Sequence, residues 1–222
     1  MPRVDFDRDL RMLQDDLLLI GSMVEKAIAR SVEALKSRDL RISNDVINED
    51  DIIEAKRIEI EERCIDLIAT QQPLAGALRV LITVLHLVGE LERMGAYAEG
   101  IAKITLMMGE EPPLKPLLDI PRMAEKSMDM LRRSLDAFIN RDVVSSMVIM
   151  TDDDEIDKLY EQVYRELLTY MMADSETIRR ATHLLWVAHD LERIADRTTN
   201  IAERVIYLVT GRQAESTVSQ NR

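Results

Sequence analysis

The chain has 222 residues, 46% of them apolar and 32% charged, with a net charge of −12. Such an acidic surface excludes a general affinity for nucleic acid, which needs basic residues to replace phosphate counterions. Seven glycines and six prolines are too few for a turn-rich β fold. The longest apolar stretches, 17–24 and 80–88, are broken by Ser22 or by Thr83 and His86. Both fall short of the roughly 20 residues that span a bilayer.

The expected fold class is therefore all-α, built from two tandem three-helix bundles. In chain order, helices are predicted at about Asp9–Lys36, Leu40–Thr70 and Gly76–Met108. The segment Gly109-Glu110-Glu111-Pro112-Pro113-Leu114-Lys115-Pro116 then reads as helix stop, linker and restart. Three more helices follow at about Leu117–Asn140, Val143–Ala173 and Glu176–Val209. Leu184, Val187, Leu191, Ile194, Ile201, Val205 and Leu208 form one apolar stripe at helical steps. Asp174-Ser175-Glu176 offers capping chemistry before the last helix, and Gly211 a stop after it. This divides the chain into a first bundle at 1–108, a linker at 109–116, a second bundle at 117–212 and a disordered polar tail at 213–222.

The two halves are copies of one unit. Leu91-Glu92-Arg93 returns as Leu191-Glu192-Arg193, Ile101-Ala102 as Ile201-Ala202, and Met23-Val24-Glu25-Lys26 as Met123-Ala124-Glu125-Lys126. Arg38-Asp39 returns as Arg141-Asp142, and Asp50 as Asp153, at an offset of 103 rather than 100. A three-residue length change therefore lies in the first helix of the pair, and the chain is an internal duplication.

Carboxylates supply the candidate chemistry. Glu192 and Asp196 stand four apart on one helix face, with Asn200 and Glu203 further along the stripe. Asp153 and Asp157 are likewise one turn apart on the preceding helix. Antiparallel packing of these helices would bring both pairs to one cation, and hard oxygen donors suit such an ion. A structural reading stands beside this one. Acidic residues at 152–154 suit a helix N-terminus, and Arg193 and Arg197 offer surface ion pairs to Glu192 and Asp196. His183 and His189 read as ordinary helix residues, and Cys64 as a small apolar residue on a buried face. A lone cysteine and the lack of an apolar core in residues 1–10 make the cytoplasm the expected location. No phosphate loop, Glu-x-x-His pair, His-Glu-x-x-His or nucleophile elbow is present, so no enzyme is expected.

At Leu191-Glu192-Arg193-Ile194-Ala195-Asp196 and Asn200-Ile201-Ala202-Glu203 the chain resembles the PhoU family of phosphate regulators. The likeness runs over about residues 8–212. It takes in Gln71-Gln72-Pro73-Leu74-Ala75, the residues from Asp153 to Asp157, Thr169-Tyr170-Met171-Met172-Ala173-Asp174-Ser175 and Tyr207-Leu208-Val209-Thr210-Gly211. The resemblance implies negative control of the phosphate-starvation response, through an adaptor between the phosphate transporter's ATPase subunit and a sensor histidine kinase. It also implies a homodimer, and metal, including iron in mono- or multinuclear form, held by Glu-x-x-x-Asp motifs. Glu192 and Asp196 match that motif, with Asp153, Asp157, Asn200 and Glu203 as companions. The first repeat departs from it, with Ala96 where Asp is expected, Gly100 opposite Asn200 and Ala77 in place of an Asp. Glu92, Asp50 and Glu54 remain, and this site is expected to bind weakly or not at all. A metal-free helical scaffold, a diverged paralogue and a carboxylate metalloenzyme are the competing readings.

Overall fold

The computed structural model describes residues 3–212. Among the described residues there are six helices: α1 (Arg3–Ser37), α2 (Leu40–Gln71), α3 (Ala75–Met108), α4 (Asp119–Asn140), α5 (Val143–Ala173) and α6 (Ile178–Thr210). A single 3-10 turn, Ser175–Thr177, leads into α6. The tail expected at 213–222 lies outside the described residues.

Each helix end follows from local chemistry. Arg38 closes α1 in the left-handed conformation at φ 57°, and Asp39 caps α2 by accepting from the amides of Arg41 and Ile42 at 2.9 and 3.1 Å. Arg141 and Asp142 repeat the device between α4 and α5, with φ 53° and two acceptor contacts of 3.0 Å. The Arg-Asp dipeptide that recurs in the sequence is thus one turn used twice. Gly211 ends α6 at φ 71°, where its amide donates to the Tyr207 carbonyl at 2.8 Å.

Three helix starts differ from the sequence reading by two residues or more, one of them being α6, which begins at Ile178 rather than Glu176, after the 3-10 turn. α1 begins six residues earlier than expected because Phe6 and Leu10 extend the stripe that continues through Leu13 and Leu17, and all four pack on the core. α4 begins at Asp119, two residues late. Lys115 turns inward to Glu166, which keeps 115–118 out of the helix, and Pro121 then sits in the first turn, where no amide donor is needed.

The buried positions carry the duplication further than sequence identity does. In α2 they are Ser43, Val46, Ile53, Ile60 and Cys64. In α5 Ser146, Ile149, Ile156, Val163 and Leu167 are buried at the same places, all 103 residues on. Cys64 stands where the second repeat has Leu167, as a wholly buried apolar residue.

α2 covers α1 and α3, and α5 covers α4 and α6, so each repeat is a three-helix bundle. α3 packs on α6 and α1 on α4, which joins the bundles along one continuous core. Both central pairs run antiparallel. Arg79 reaches the Leu208 carbonyl at 3.4 Å, while Gly100, further along α3, meets Asp190, nearer the start of α6. Small residues are buried on both helices of the α3/α6 pair: Ala98, Ala102, Ala188, Ala195 and Ala202. A Cβ on Gly21 of α1 would overlap the Leu135 side chain of α4. The linker does not hang free. Glu111 pairs with Arg179, Arg180 donates to the Pro112 carbonyl at 3.4 Å, and Lys115 pairs with Glu166. Among the described residues no helix is long and apolar enough to cross a membrane.

Candidate cation site and inter-repeat seam

Antiparallel packing of α5 on α6 brings the two predicted carboxylate pairs together. The Asp153 carboxyl is pushed up to about 7, first by burial and then by the charges of Asp157, Asp196, Glu192 and Asp154. Arg193 of α6 itself brings positive charge to this cluster. Arg193 Nη1 donates to Asp196 Oδ2 at 2.6 Å, and His189 Nδ1 lies 3.6 Å from Glu192 Oε2. The Tyr160 ring stands 6.2 Å from that of His189, and burial and the Glu192 charge both raise its hydroxyl pKa.

The remaining predicted residues divide. Asn200 turns away from the cluster, its Nδ2 donating to Glu90 Oε2 on α3 at 3.2 Å. Glu203 is raised by burial, against Arg204, and its shift draws on no carboxylate of the cluster. In the first repeat Asp50 is pushed up to about 6 by burial and by Glu99, Glu92 and Asp51, against Lys103. Glu99, not singled out from the sequence, lies seven residues after Glu92 and so on the same helix face, where Lys103 pairs with it at 2.6 Å. Glu54 shares the field of Arg57 with Glu61 and Glu92. Gly95 makes room for Asp50, since a Cβ there would stand 3.2 Å from its Oδ1.

Burial first, and then the charges of the facing carboxylates, raise the Asp153 carboxyl, so the second cluster concentrates oxygen anions between α5 and α6. Among the described residues, however, no three His, Cys, Asp or Glu side chains converge on one point. Asp196 is drawn toward Arg193.

A second polar system lies where α3 meets α6. Glu90 accepts from Arg197 and Asn200, both at 3.2 Å. Burial raises the Tyr97 hydroxyl, but hydrogen bonds from Arg193 and Arg197 and the charges behind them outweigh it and bring it down. Asp190, one hundred residues after Glu90, faces Gly100 and is pushed up to about 7 by burial alone. The recurrence of an acid at 90 and 190 was the signal available for this seam, although the residues it meets lie on the other repeat.

Fold and site together define a duplicated helical-bundle protein with a carboxylate face in each repeat. The family model described as the PhoU domain matches residues 17–105 and 120–205, one match per repeat. A relative from Clostridium acetobutylicum, a phosphate-specific transport system accessory protein PhoU homolog, is 39% identical over 97% of this chain and 99% of its own length. The Escherichia coli accessory protein PhoU is 32% identical over 93% of this chain and 86% of its own. The crystal structure of PhoU from Pseudomonas aeruginosa superposes with a TM-score of 0.89 at 34% identity, covering 93% of this chain and all of that one. The chain belongs to the PhoU family.

Proposed function

We propose that this chain is a regulatory accessory protein of phosphate uptake, working as a cation-binding adaptor between the phosphate transporter's ATPase subunit and a sensor histidine kinase and restraining the starvation response. Membership in the family supports the link to phosphate transport, since relatives sharing nearly the whole chain carry that role in their names. One observation supports the cation: Asp153 and Asp157 of α5 lie within the field of Glu192 and Asp196 of α6, and burial first and these charges next raise the Asp153 carboxyl. Those four carboxylates would hold a divalent or trivalent metal, iron included. Asn200 and Glu203 belong to the seam and to the next turn. A bound cation would supply positive charge that cancels the repulsion and stiffens α5 against α6. Partner docking then reads that face. The protein would act in the cytoplasm, as a homodimer.

Metal per chain, measured by elemental mass spectrometry after equilibration with iron, manganese, zinc and magnesium, tests the site. Metal in the wild type that vanishes in Glu192→Ala/Asp196→Ala and survives Glu92→Ala supports one working site in the second repeat. Metal retained by the double variant refutes that assignment. The adaptor role fails if purified chain binds neither the kinase nor the ATPase subunit.

A metal-free scaffold is the second reading, and the Arg193–Asp196 pair favours it, since a guanidinium already meets part of the charge. Absence of metal from every sample would select it.

A further inference from the structure

We propose that the junction of α3, the linker and the start of α6 is an anion site, where Arg38, Arg179, Arg180 and His183 take a phosphate-type dianion in place of the Glu111 carboxylate. The site stands apart from the α5/α6 carboxylates and needs no bound cation.

Three arginines from the two repeats close on one short segment, 108–112. Arg38, in the turn after α1, donates from Nη1 to Met108 Sδ at 3.3 Å. Arg179 pairs with Glu111, and Arg180 donates from Nη1 to the Pro112 carbonyl at 3.4 Å. A thioether is a weak acceptor, so Arg38 keeps most of its donor capacity for a stronger one. His183 lies one turn after Arg179 on the same face of α6. Its side chain is buried, 8% exposed, and its Nδ1 has no hydrogen-bond partner among the described residues. A buried polar atom left so costs stability until something satisfies it. Trp186 backs the ring at 5.6 Å, and the charges of Arg179 and Glu111 both reach it. A neutral imidazole carries its one N–H on either nitrogen, and an anion oxygen beside Nδ1 would fix it there. The positive end of the α6 dipole adds to the field. Thr177 supplies it no side-chain cap, since that hydroxyl donates to the Tyr170 and Asp174 carbonyls.

Glu111 serves this set incompletely. It bonds Arg179, and it reaches Arg38 and His183 through its field alone. The bonded pair is open to solvent, with exposures of 61% and 39%, so it is worth little and readily displaced. A phosphate group offers several charged oxygens and can accept from two guanidiniums and an imidazole together. The opposite end of the molecule does not repeat the set. Arg79 and Arg141 recur there, but Val80 and Thr83 stand where the second repeat has Arg180 and His183.

Calorimetric titration of the full, metal-stripped chain with inorganic phosphate at pH 8, with ionic strength held constant by sodium chloride, tests the proposal. Glu111→Gln removes the competing charge and is expected to tighten phosphate about fivefold. Arg179→Gln and Arg38→Gln each remove a donor and should weaken it about fivefold. Glu111 and Arg179 are exposed enough for their variants to fold, and melting temperature checks this for all three. In ¹⁵N spectra of the histidine rings, the His183 Nδ1 signal should move in step with saturation, which loose ionic association would leave in place. ADP titrated alongside separates the sources of the anion: binding tighter than phosphate, with the same response to the variants, assigns the site to a carried phosphoryl group, and binding by phosphate alone assigns the free ion. Saturation seen only in Glu111→Gln also supports the site, with the linker acid as its resident competitor. Equal affinity in wild type, Glu111→Gln and Arg179→Gln places the anion elsewhere and overturns the proposal. So does the absence of saturable binding of both phosphate and ADP in wild type and Glu111→Gln. Neither failure touches the cation reading, which metal content decides.

Discussion

Asp190 of α6 lies against Gly100 of α3, its Oδ2 3.0 Å from the point where a Cβ on that glycine would stand. On the other side of the same seam Glu90 meets Asn200 and Arg197. One repeat supplies donors to the acid of the other, and the return contact supplies none from Gly100, which has no side chain. The duplication has therefore kept the acid and lost its partner, and burial alone pushes Asp190 up to about 7.

This sets a pH dependence of stability. The ordinary value for an aspartate is 3.8, so between that pH and about 7 the folded chain holds a proton that the unfolded chain has released. The resulting stabilisation is complete below about pH 4 and is lost as pH rises through 7. Asp153 and Asp50, raised to about 7 and about 6, act in the same direction. The melting temperature of metal-stripped protein is expected to fall between pH 5 and pH 8. Asp190→Asn should reduce that fall by about 1 kcal/mol, or roughly 3 °C, after allowing for solvent screening. A slope unchanged by Asp190→Asn would contradict this account of the seam.

Gly100→Asn restores the residue found at 200. The added Cβ would crowd only the tip of the Asp190 side chain, which can rotate away and accept from the new amide. Replacing a helical glycine also adds about 0.5 kcal/mol of backbone stabilisation. Chemical denaturation at pH 8 should show a gain of about 0.5–1 kcal/mol, with a flatter pH profile. A loss of stability at that pH would mean that the seam cannot accommodate a side chain there.

Helices, duplication and turns were legible in the sequence because they rest on local signals: an apolar stripe at helical steps, an Arg-Asp dipeptide repeated at offset 103, a Gly after the last turn. The pairing of Asp153 and Asp157 with Glu192 and Asp196 was also legible, since a short turn forces α5 and α6 to be antiparallel neighbours. The contact of Asn200 with Glu90 was not legible, for a physical reason. Asn200 lies two turns beyond Glu192, and helical periodicity cannot say which flank of the stripe a second bundle will cover; the contact with Glu90 comes from the other repeat. Tyr97 between Arg193 and Arg197 was hidden in the same way, because no spacing within one repeat encodes a contact with the other.

Cys64 takes the buried place that Leu167 fills in the second repeat. Its thiol is pushed up to about 12, chiefly by burial, and so is almost never the reactive thiolate near neutral pH. An aromatic disulfide reagent is expected to leave it unmodified in native protein and to react once denaturant unfolds the chain. Leu167→Ala should cost about 2–4 kcal/mol and Cys64→Ala less, because a smaller void is left. Rapid labelling of native protein would show that α2 opens locally without global unfolding.

The pinned linker makes a last prediction. Lys115 is almost wholly covered, with 6% of its side chain exposed, and its ammonium group meets Glu166 on α5. Arg179–Glu111 is open to solvent by comparison, with exposures of 61% and 39%, and is worth little. Holding 109–118 against the second bundle therefore falls chiefly to Lys115. Lys115→Ala removes that tether and a buried aliphatic stem together, and should cost about 1–2 kcal/mol. Cutting by a low dose of protease is expected to move to 109–118 in this variant, while Arg179→Ala leaves the wild-type pattern unchanged. Equal cutting of both variants would place the restraint elsewhere along the segment.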